Sequence, residues 1–578
     1  TVQVHVFPSP DISFAPVDVC INNDSDTTVF DNSTTSADPV ASWFWEFSDE
    51  GAIHTSIRKN GGYLFKNAGL QQVTLTATTV NGCSVSKVST FNIGRKPTAE
   101  FYFKNECMHP GESVVLVDTT NSASPIVSRS WKIFGGSEFS TASKYAYYPK
   151  LDTGYLKIEY IVKTGYDNCI DTVIKSVYIR PSITISADGY FEDFESGKHG
   201  WVKDEASSNS WTFDTPDGNV INHAYSGSNA WFTRFALGTV RQESSSVTSP
   251  CFNFVSSGRP FISMKLWKRF ERDRAGAALQ YRIGDSKEWH YVGTIDDGIG
   301  WYNSAVIRGE PGGNQLGWTS IGTPDDNWKD ALHTLDELSG KKDVKFRIAY
   351  GSDGSAAYDG VAFDDIRIGE RSREVLFEHF TNVSGSLNQE TNDLINTISE
   401  NKGRDVINIQ YHTNFPSTDP FYNQNPGDAS ARILFYGLVS TPYTFIDGGG
   451  DRVNFARAFD NNLIPVDSNI VTKRSLYPSD FTIALNPVVS NGVLSLTGSI
   501  KALRNIADIP NLTLFIAVTE KVRTDNGTAY HNVFRKFLPD AGGIKLKSSW
   551  AAGETLSVGE QAWVLKNILD QSDVEIVA

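Results

Sequence analysis

After Cys251 the chain contains no cysteine, and nowhere does it carry a Cys-x-x-Cys pair. Disulfide exchange needs a thiolate nucleophile, so its C-terminal half cannot run thiol redox chemistry. There is no His-Glu-x-x-His, no Gly-x-Ser-x-Gly and no Walker loop. The zinc peptidases, α/β-hydrolases and P-loop enzymes that depend on those motifs are thereby excluded. A carboxylate pair of the glycosidase kind stays open, because 67 acidic residues always supply candidates. No run of about 18 apolar residues exists, so no helical membrane span is expected. Basic residues are in deficit, 52 Lys and Arg against 67 Asp and Glu, for a net charge of −15. That balance argues against nucleic acid as a partner, because phosphate binding needs basic patches. A charged-then-apolar leader is also missing. The chain opens at Thr1 in strand-like Val2-Gln3-Val4-His5-Val6 and closes at Val574-Glu575-Ile576-Val577-Ala578. The expectation is a fragment of a longer precursor, with residues 1–8 the last strand of a preceding module.

What is present favours sheets. Aromatic residues make up 12%, including 13 Trp and 22 Tyr. Over the first 370 positions they alternate with β-branched residues. The length, 578 residues, suggests three to six domains. An internal repeat sets the first two. Trp45 and Trp131 lie 86 positions apart, as do Gly82-Cys83 and Asn168-Cys169. Cys20 to Cys83 spans 63 residues and Cys107 to Cys169 spans 62. A fixed period with Trp and Cys anchors marks repeated modules. Val73-Thr74-Leu75-Thr76-Ala77 and Leu156-Lys157-Ile158-Glu159-Tyr160 alternate as half-buried strands do.

The Trp45-Glu46-Phe47 turn, the Tyr63-x-Phe65 pair, Gly69 and the following strand resemble PKD domains, immunoglobulin-like sandwiches of bacterial surface proteins. The second copy, with Trp131-Lys132-Ile133-Phe134-Gly135-Gly136, lacks the usual Gly-Asp-Gly turn. The resemblance implies PKD modules at 9–96 and 97–184. It also implies disulfides Cys20–Cys83 and Cys107–Cys169, and hence an oxidising compartment. Zinc is the rival reading of these cysteines, without CxxC spacing or a His cluster to support it.

From 185 to 370 the texture changes to short strands carrying eight Trp. Phe191-Glu192-Asp193-Phe194-Glu195, Gly200-Trp201, the run from Ser246 to Phe252, and Val361-Ala362-Phe363-Asp364-Asp365-Ile366 resemble MAM-like and adhesin-type jelly rolls. First and last strands of such a fold lie side by side. Glu192, Asp193 and Glu195 are then expected to meet Asp364 and Asp365. Converging hard oxygens repel unless a cation intervenes, and Ca²⁺ suits a flexible oxygen shell. Solvent-facing acids are the plainer alternative. The Trp residues suggest sugar stacking, but sandwich core is the commoner fate. Cys251 reads as a buried strand thiol.

After Arg371 the pattern turns α/β. Val375–Phe380 reads as a strand, Ser386 and Gln389 as a capping box, and Leu387, Leu394, Ile395 and Ile398 as a buried helix face ending at Gly403. A second strand at Val406–Tyr411 and a helix from Asp428 to about Leu438 follow. Glu378 and His379 are adjacent on a strand and point to opposite faces, so they cannot form a simple dyad. The order, with Thr441-Pro442 at the place of a cis-proline, resembles thioredoxin-like outer-membrane and secreted proteins of the Bacteroidetes. Where that family places Cys-x-x-Cys, this chain has Phe380-Thr381-Asn382-Val383-Ser384-Gly385-Ser386-Leu387-Asn388. The resemblance implies a thioredoxin-like domain at 371–472 without its chemistry, Pro442 as a structural cis-proline, and a β-sandwich at 473–578.

The fold class expected is mainly β and multidomain. The function expected is non-catalytic binding or adhesion outside the cell. The ligand would be a surface glycan or protein, and the resemblances imply type IX export with a possible link to gliding. The alternatives are a structural subunit of a secretion or motility assembly, with outer-membrane partners, and an accessory region of a secreted hydrolase.

Overall fold

The computed structural model describes residues 2–21, 26–149, 152–166, 169–205, 209–235, 242–320, 325–355, 358–449 and 468–578. Thr1, Asn168 of the repeated dipeptide, and 450–467 of the thioredoxin-like segment lie outside the described residues. The fold is mainly β, arranged as successive sandwiches and one α/β sheet.

In the first sandwich a three-stranded sheet (Phe14–Pro16, Thr28–Asn32, Gly61–Tyr63) faces a five-stranded one. Val40–Asp49, Gly69–Thr79 and Ser84–Arg95 are the long strands of the latter. Trp45 is fully buried between the sheets, and its Nε1 donates to the Arg58 carbonyl at 2.9 Å. Its ring lies where a Cβ on Gly61 would come within 2.5 Å, so that position takes only glycine. The second sandwich repeats this arrangement around Trp131, which stacks on Tyr160 with ring centroids 4.0 Å apart.

Both implied intramodule disulfides are overturned. Cys20 bonds to Cys169 and Cys107 to Cys251, while Cys83 is free. Strand geometry gives the reason. Cys20 lies opposite Gly94, near the end of Ser84–Arg95, whereas Cys83 precedes the start of that strand. Eleven strand residues span about 36 Å, far beyond the 7 Å limit for bridged Cα atoms. Cys107, opposite Arg180, is separated from Cys169 by the same stretch of Ile170–Thr184. Each module therefore has one cysteine at either end, and the bonds run to the next module. Cys251 is not a buried thiol but the partner of the second bond. Cys83, the repeat counterpart of Cys169, has its Sγ 3.6 Å from the Phe7 carbonyl. Residues 2–8 form no β ladder among the described residues, and Val2, Val4 and Val6 are exposed.

Strand Ile170–Thr184 runs out of the second sandwich into the jelly roll, where Ser182, Ile183 and Thr184 pair in parallel with Cys251, Phe252 and Asn253. The jelly roll's other sheet contains Ala230–Thr233, Gly360–Glu370, Pro260–Arg269 and Lys329–Thr334. Trp201, Trp211, Trp231, Trp267, Trp301, Trp318 and Trp328 are buried. Trp289 is half-buried beneath the Arg282 and Arg347 guanidinium groups. Core packing, not sugar stacking, accounts for the seven buried rings.

In the C-terminal part the strand order is Tyr443–Ile446, Val375–Thr381, Val406–His412, Thr528–Leu538, Ile516–Asp525, Val574–Val577. The boundary expected at 472 is thus corrected, since three strands of 473–578 complete the thioredoxin-like sheet. Without Thr528–Leu538 beside it, Val406–His412 would expose an edge. The remaining long strands, Phe481–Ser490, Val493–Ala502 and Thr555–Val564, form a small sheet of their own around Leu494, Leu496 and Trp550.

Helix α1 (Ser386–Lys402) departs from two expectations. Its N-cap is Gly385 without a side-chain cap, and Gln389 reaches Asp393 at 2.9 Å, so there is no capping box. Its buried residues are Asn388, Thr391, Asn392, Ile395 and Ile398, while Leu387 is 42% exposed. The polar half of that stripe faces buried polar groups of the sheet, notably His379. Gly403 ends the helix. Helix α2 spans Pro426–Tyr436, with Asn425 as N-cap.

Candidate functional site

The jelly roll's first strand, Tyr190–Glu192, pairs antiparallel with its last, setting Glu192 opposite Ile366. The two acidic runs are therefore brought to one end of the sheet, but their side chains part company. Glu192 is buried and its oxygens accept from His199 Nδ1 at 2.8 and 2.9 Å, the Tyr190 hydroxyl and the Phe194 amide. Asp193 Oδ1 accepts from the Glu195 amide at 3.1 Å. Neither points to Asp364. The other three acids surround a turn that sequence reading missed, Tyr225-Ser226-Gly227-Ser228-Asn229. Glu195 Oε1 accepts from the Ser228 and Asn229 amides at 2.9 and 2.7 Å. Asp364 Oδ2 accepts from the Tyr225 and Ser226 amides at 3.0 and 3.2 Å, and Asp365 Oδ1 from Ser226 Oγ at 2.6 Å.

Two consecutive strand residues ordinarily face opposite ways. Here a register shift between Ser263 and Lys265 and a φ of +46° at Asp365 turn both carboxylates to the same loop. Gly227 lies at φ +55°, and a Cβ there would lie 2.1 Å from the Glu195 carboxyl carbon, so a side chain at this position would displace the Glu195 carboxylate from the turn. Asp364 is wholly buried. Burial pushes its pKa up to about 7, with Asp365 adding and the backbone amides opposing. Among the described residues no three or more His, Cys, Asp or Glu side chains converge closely enough to hold a metal ion. Glu192 and Asp193 do not fit such a site. Glu195, Asp364 and Asp365 share one turn, and the buried Asp364 carboxylate has only neutral donors on it.

In the thioredoxin-like part, the loop between Val375–Thr381 and α1 stands where a nucleophile would be presented. It is tied down instead. Asn382 Nδ2 donates to the Thr413 and Ser417 carbonyls at 2.8 Å each, and Ser384 Oγ lies 2.5 Å from Ser417 Oγ. The Thr441–Pro442 bond beside it is cis. Glu378 and His379 do face opposite ways. Glu378 is held by Arg432 through two bonds of 2.8 and 2.7 Å and by the Tyr436 hydroxyl. His379 lies between Thr444 Oγ1 and Asn392 Oδ1, and burial lowers its pKa to about 4, so it is neutral at pH 7. His412 and Asp419, 2.8 Å apart, form a second buried pair walled by Phe421 and Tyr530.

No family model matches the chain. Bacillopeptidase F of Bacillus subtilis (strain 168) is 23% identical over 225 residues, covering 39% of this chain and 13% of that protein. The chain thus spans a small part of that relative's length. Among solved structures, HBP35 of Porphyromonas gingivalis matches at 15% identity and a TM-score of 0.28, over 35% of this chain and 68% of that one. The K1 cleaved adhesin domain of Lys-gingipain from Porphyromonas gingivalis W83 matches at 12% identity and a TM-score of 0.21, over 31% and 97%. A carbohydrate-binding module of the β-sandwich superfamily matches at 14% identity and a TM-score of 0.20, over 48% and 99%. Each resembles a part of the chain. No helix among the described residues is long and apolar enough to cross a membrane.

Proposed function

We propose that this chain is a non-catalytic binding and adhesion protein of the cell exterior. Its sandwiches act as stiff spacers and its jelly roll presents the ligand-binding face. The observation that carries this reading is the closure of every reactive group at the thioredoxin-like position. The loop has no sulfur, its serine is bonded to another serine, and the acid and histidines beside it are buried and paired. Disulfides crossing from module to module support an oxidising, extracellular setting. Type IX export, and a place in surface attachment or gliding, are the finer form of the same reading. Assays of the purified chain for turnover of thiols, glycans and peptides test it. No turnover is expected, and genuine turnover contradicts it.

Ca²⁺ at the acidic turn belongs to this proposal. Its ligands would be drawn from Glu195, Asp364 and Asp365, which do not converge on one point as they stand and would have to release their Ser226, Ser228 and Asn229 donors to close on the ion. A melting curve with Ca²⁺ is expected to lie several degrees above one with chelator. Coincident curves contradict the site.

A further inference from the structure

A cleft of about 560 Å³ opens where the outer face of the jelly-roll sheet meets the segment after helix α3 (Ser468–Ser475). Three observations describe its chemistry. Tyr477, half exposed at 51%, and Phe261 offer aromatic and apolar walls. The charged lining is balanced: Lys265 pairs with Asp330 at 2.6 Å, Asp365 and Glu370 add two acids, and Arg371 and the exposed Arg367, stacked 4.0 Å from the Phe191 ring centroid, add two bases. Glu370 accepts from the Arg259 amide through Oε2 at 2.8 Å, while its Oε1 is buried and has no donor.

We propose that this cleft binds a saccharide. The inference rests on the binding reading above and names its ligand class and its place. Sugar rings have apolar faces that stack on aromatic side chains, and hydroxyls that donate to carboxylates and accept from guanidinium and ammonium groups. A lining with both signs of charge in balance and aromatic walls matches a neutral, hydroxyl-rich ligand. Its volume is within the usual range of ligand sites, as is its position between domains. An extended peptide is disfavoured. The neighbouring edge strand, Lys329–Thr334, is bridged by Ile299, which exchanges backbone bonds of 3.0 and 2.9 Å with Leu332 and so interrupts the edge where an added strand would pair.

The test uses the full chain, fluorescently labelled, on an array of defined oligosaccharides, with titration of the best-binding one in solution. Wild type is expected to bind a subset of the array. Tyr477→Ala and Arg367→Ala are expected to weaken that binding roughly tenfold or more, with unchanged melting temperature. Tyr147→Ala, on an exposed tyrosine of the second sandwich, is expected to leave it unchanged. Glycan binding that survives both Tyr477→Ala and Arg367→Ala overturns the cleft assignment and leaves the adhesion reading standing. An array with no bound glycan, or cleft-dependent binding of an acidic peptide instead, also overturns it. Loss of the adhesion reading itself would show separately, as catalytic turnover.

Discussion

Between the two sandwiches, and again between the second sandwich and the jelly roll, a disulfide crosses the junction. Between the jelly roll and the thioredoxin-like sheet, buried ion pairs take that place. Asp405 receives Arg259 Nε at 2.6 Å and Arg371 Nη2 at 2.9 Å, and Arg371 Nη1 reaches Asp336 at 2.8 Å. The two devices work differently. A disulfide restricts the unfolded chain and tolerates a modest interface. A buried ion network requires every partner in place, and removal of one leaves the others desolvated and unpaired. The N-terminal region is thus held against separation of its modules, whereas the third junction depends on complete charge pairing.

Removing the shared carboxylate is expected to have the largest effect. Asp405→Ala leaves the buried Arg259 guanidinium without its acid and Arg371 with Asp336 alone, and should cost about 3–5 kcal/mol in the transition that reports the C-terminal part. Urea denaturation followed by tryptophan-independent circular dichroism reads this, and a loss under about 1 kcal/mol would break the comparison. Next comes the covalent junction. The double change Cys107→Ser with Cys251→Ser should cost about 2–4 kcal/mol in the jelly-roll transition. Reduction of the wild type should reproduce it, while leaving the C-terminal transition in place.

The smallest effect concerns acid at the second junction. Burial raises the Glu106 carboxyl, but Lys345 at 3.1 Å, Arg282 at 2.7 Å and Arg180 nearby outweigh it and hold its pKa below the ordinary value. Its contribution is therefore complete above the ordinary carboxylate pKa and is lost as pH falls through the lowered one. Hydrogen exchange in strand Val344–Asp353 should quicken over that acid window and stay flat in Glu106→Gln. The disulfide next to it keeps the modules together throughout.

Sequence patterns showed the modules well because Trp anchors and alternating strands are local. Cysteine pairing was not legible, because it depends on where each cysteine sits along a strand whose two ends lie about 36 Å apart. The completed thioredoxin-like sheet was hidden for a similar reason. Gln410 and Val533 pair across a long stretch of intervening chain. Helix α1 was misread because its inner face is half polar, matched to a polar sheet face that no apolar period reveals. At the acidic turn, adjacency of the first and last strands was legible. The bulge that turns Asp365 toward Ser226, and the diversion of Glu192 to His199, were not. The Ser226-Gly227-Ser228-Asn229 composition was the one local signal available.

Digestion of the unreduced, alkylated protein followed by mass spectrometry tests the module-to-module linkage most directly. The account predicts one peptide pair joining Cys20 to Cys169, another joining Cys107 to Cys251, and alkylation at Cys83 alone. A Cys20–Cys83 or Cys107–Cys169 peptide, or alkylation of all five cysteines, would contradict it.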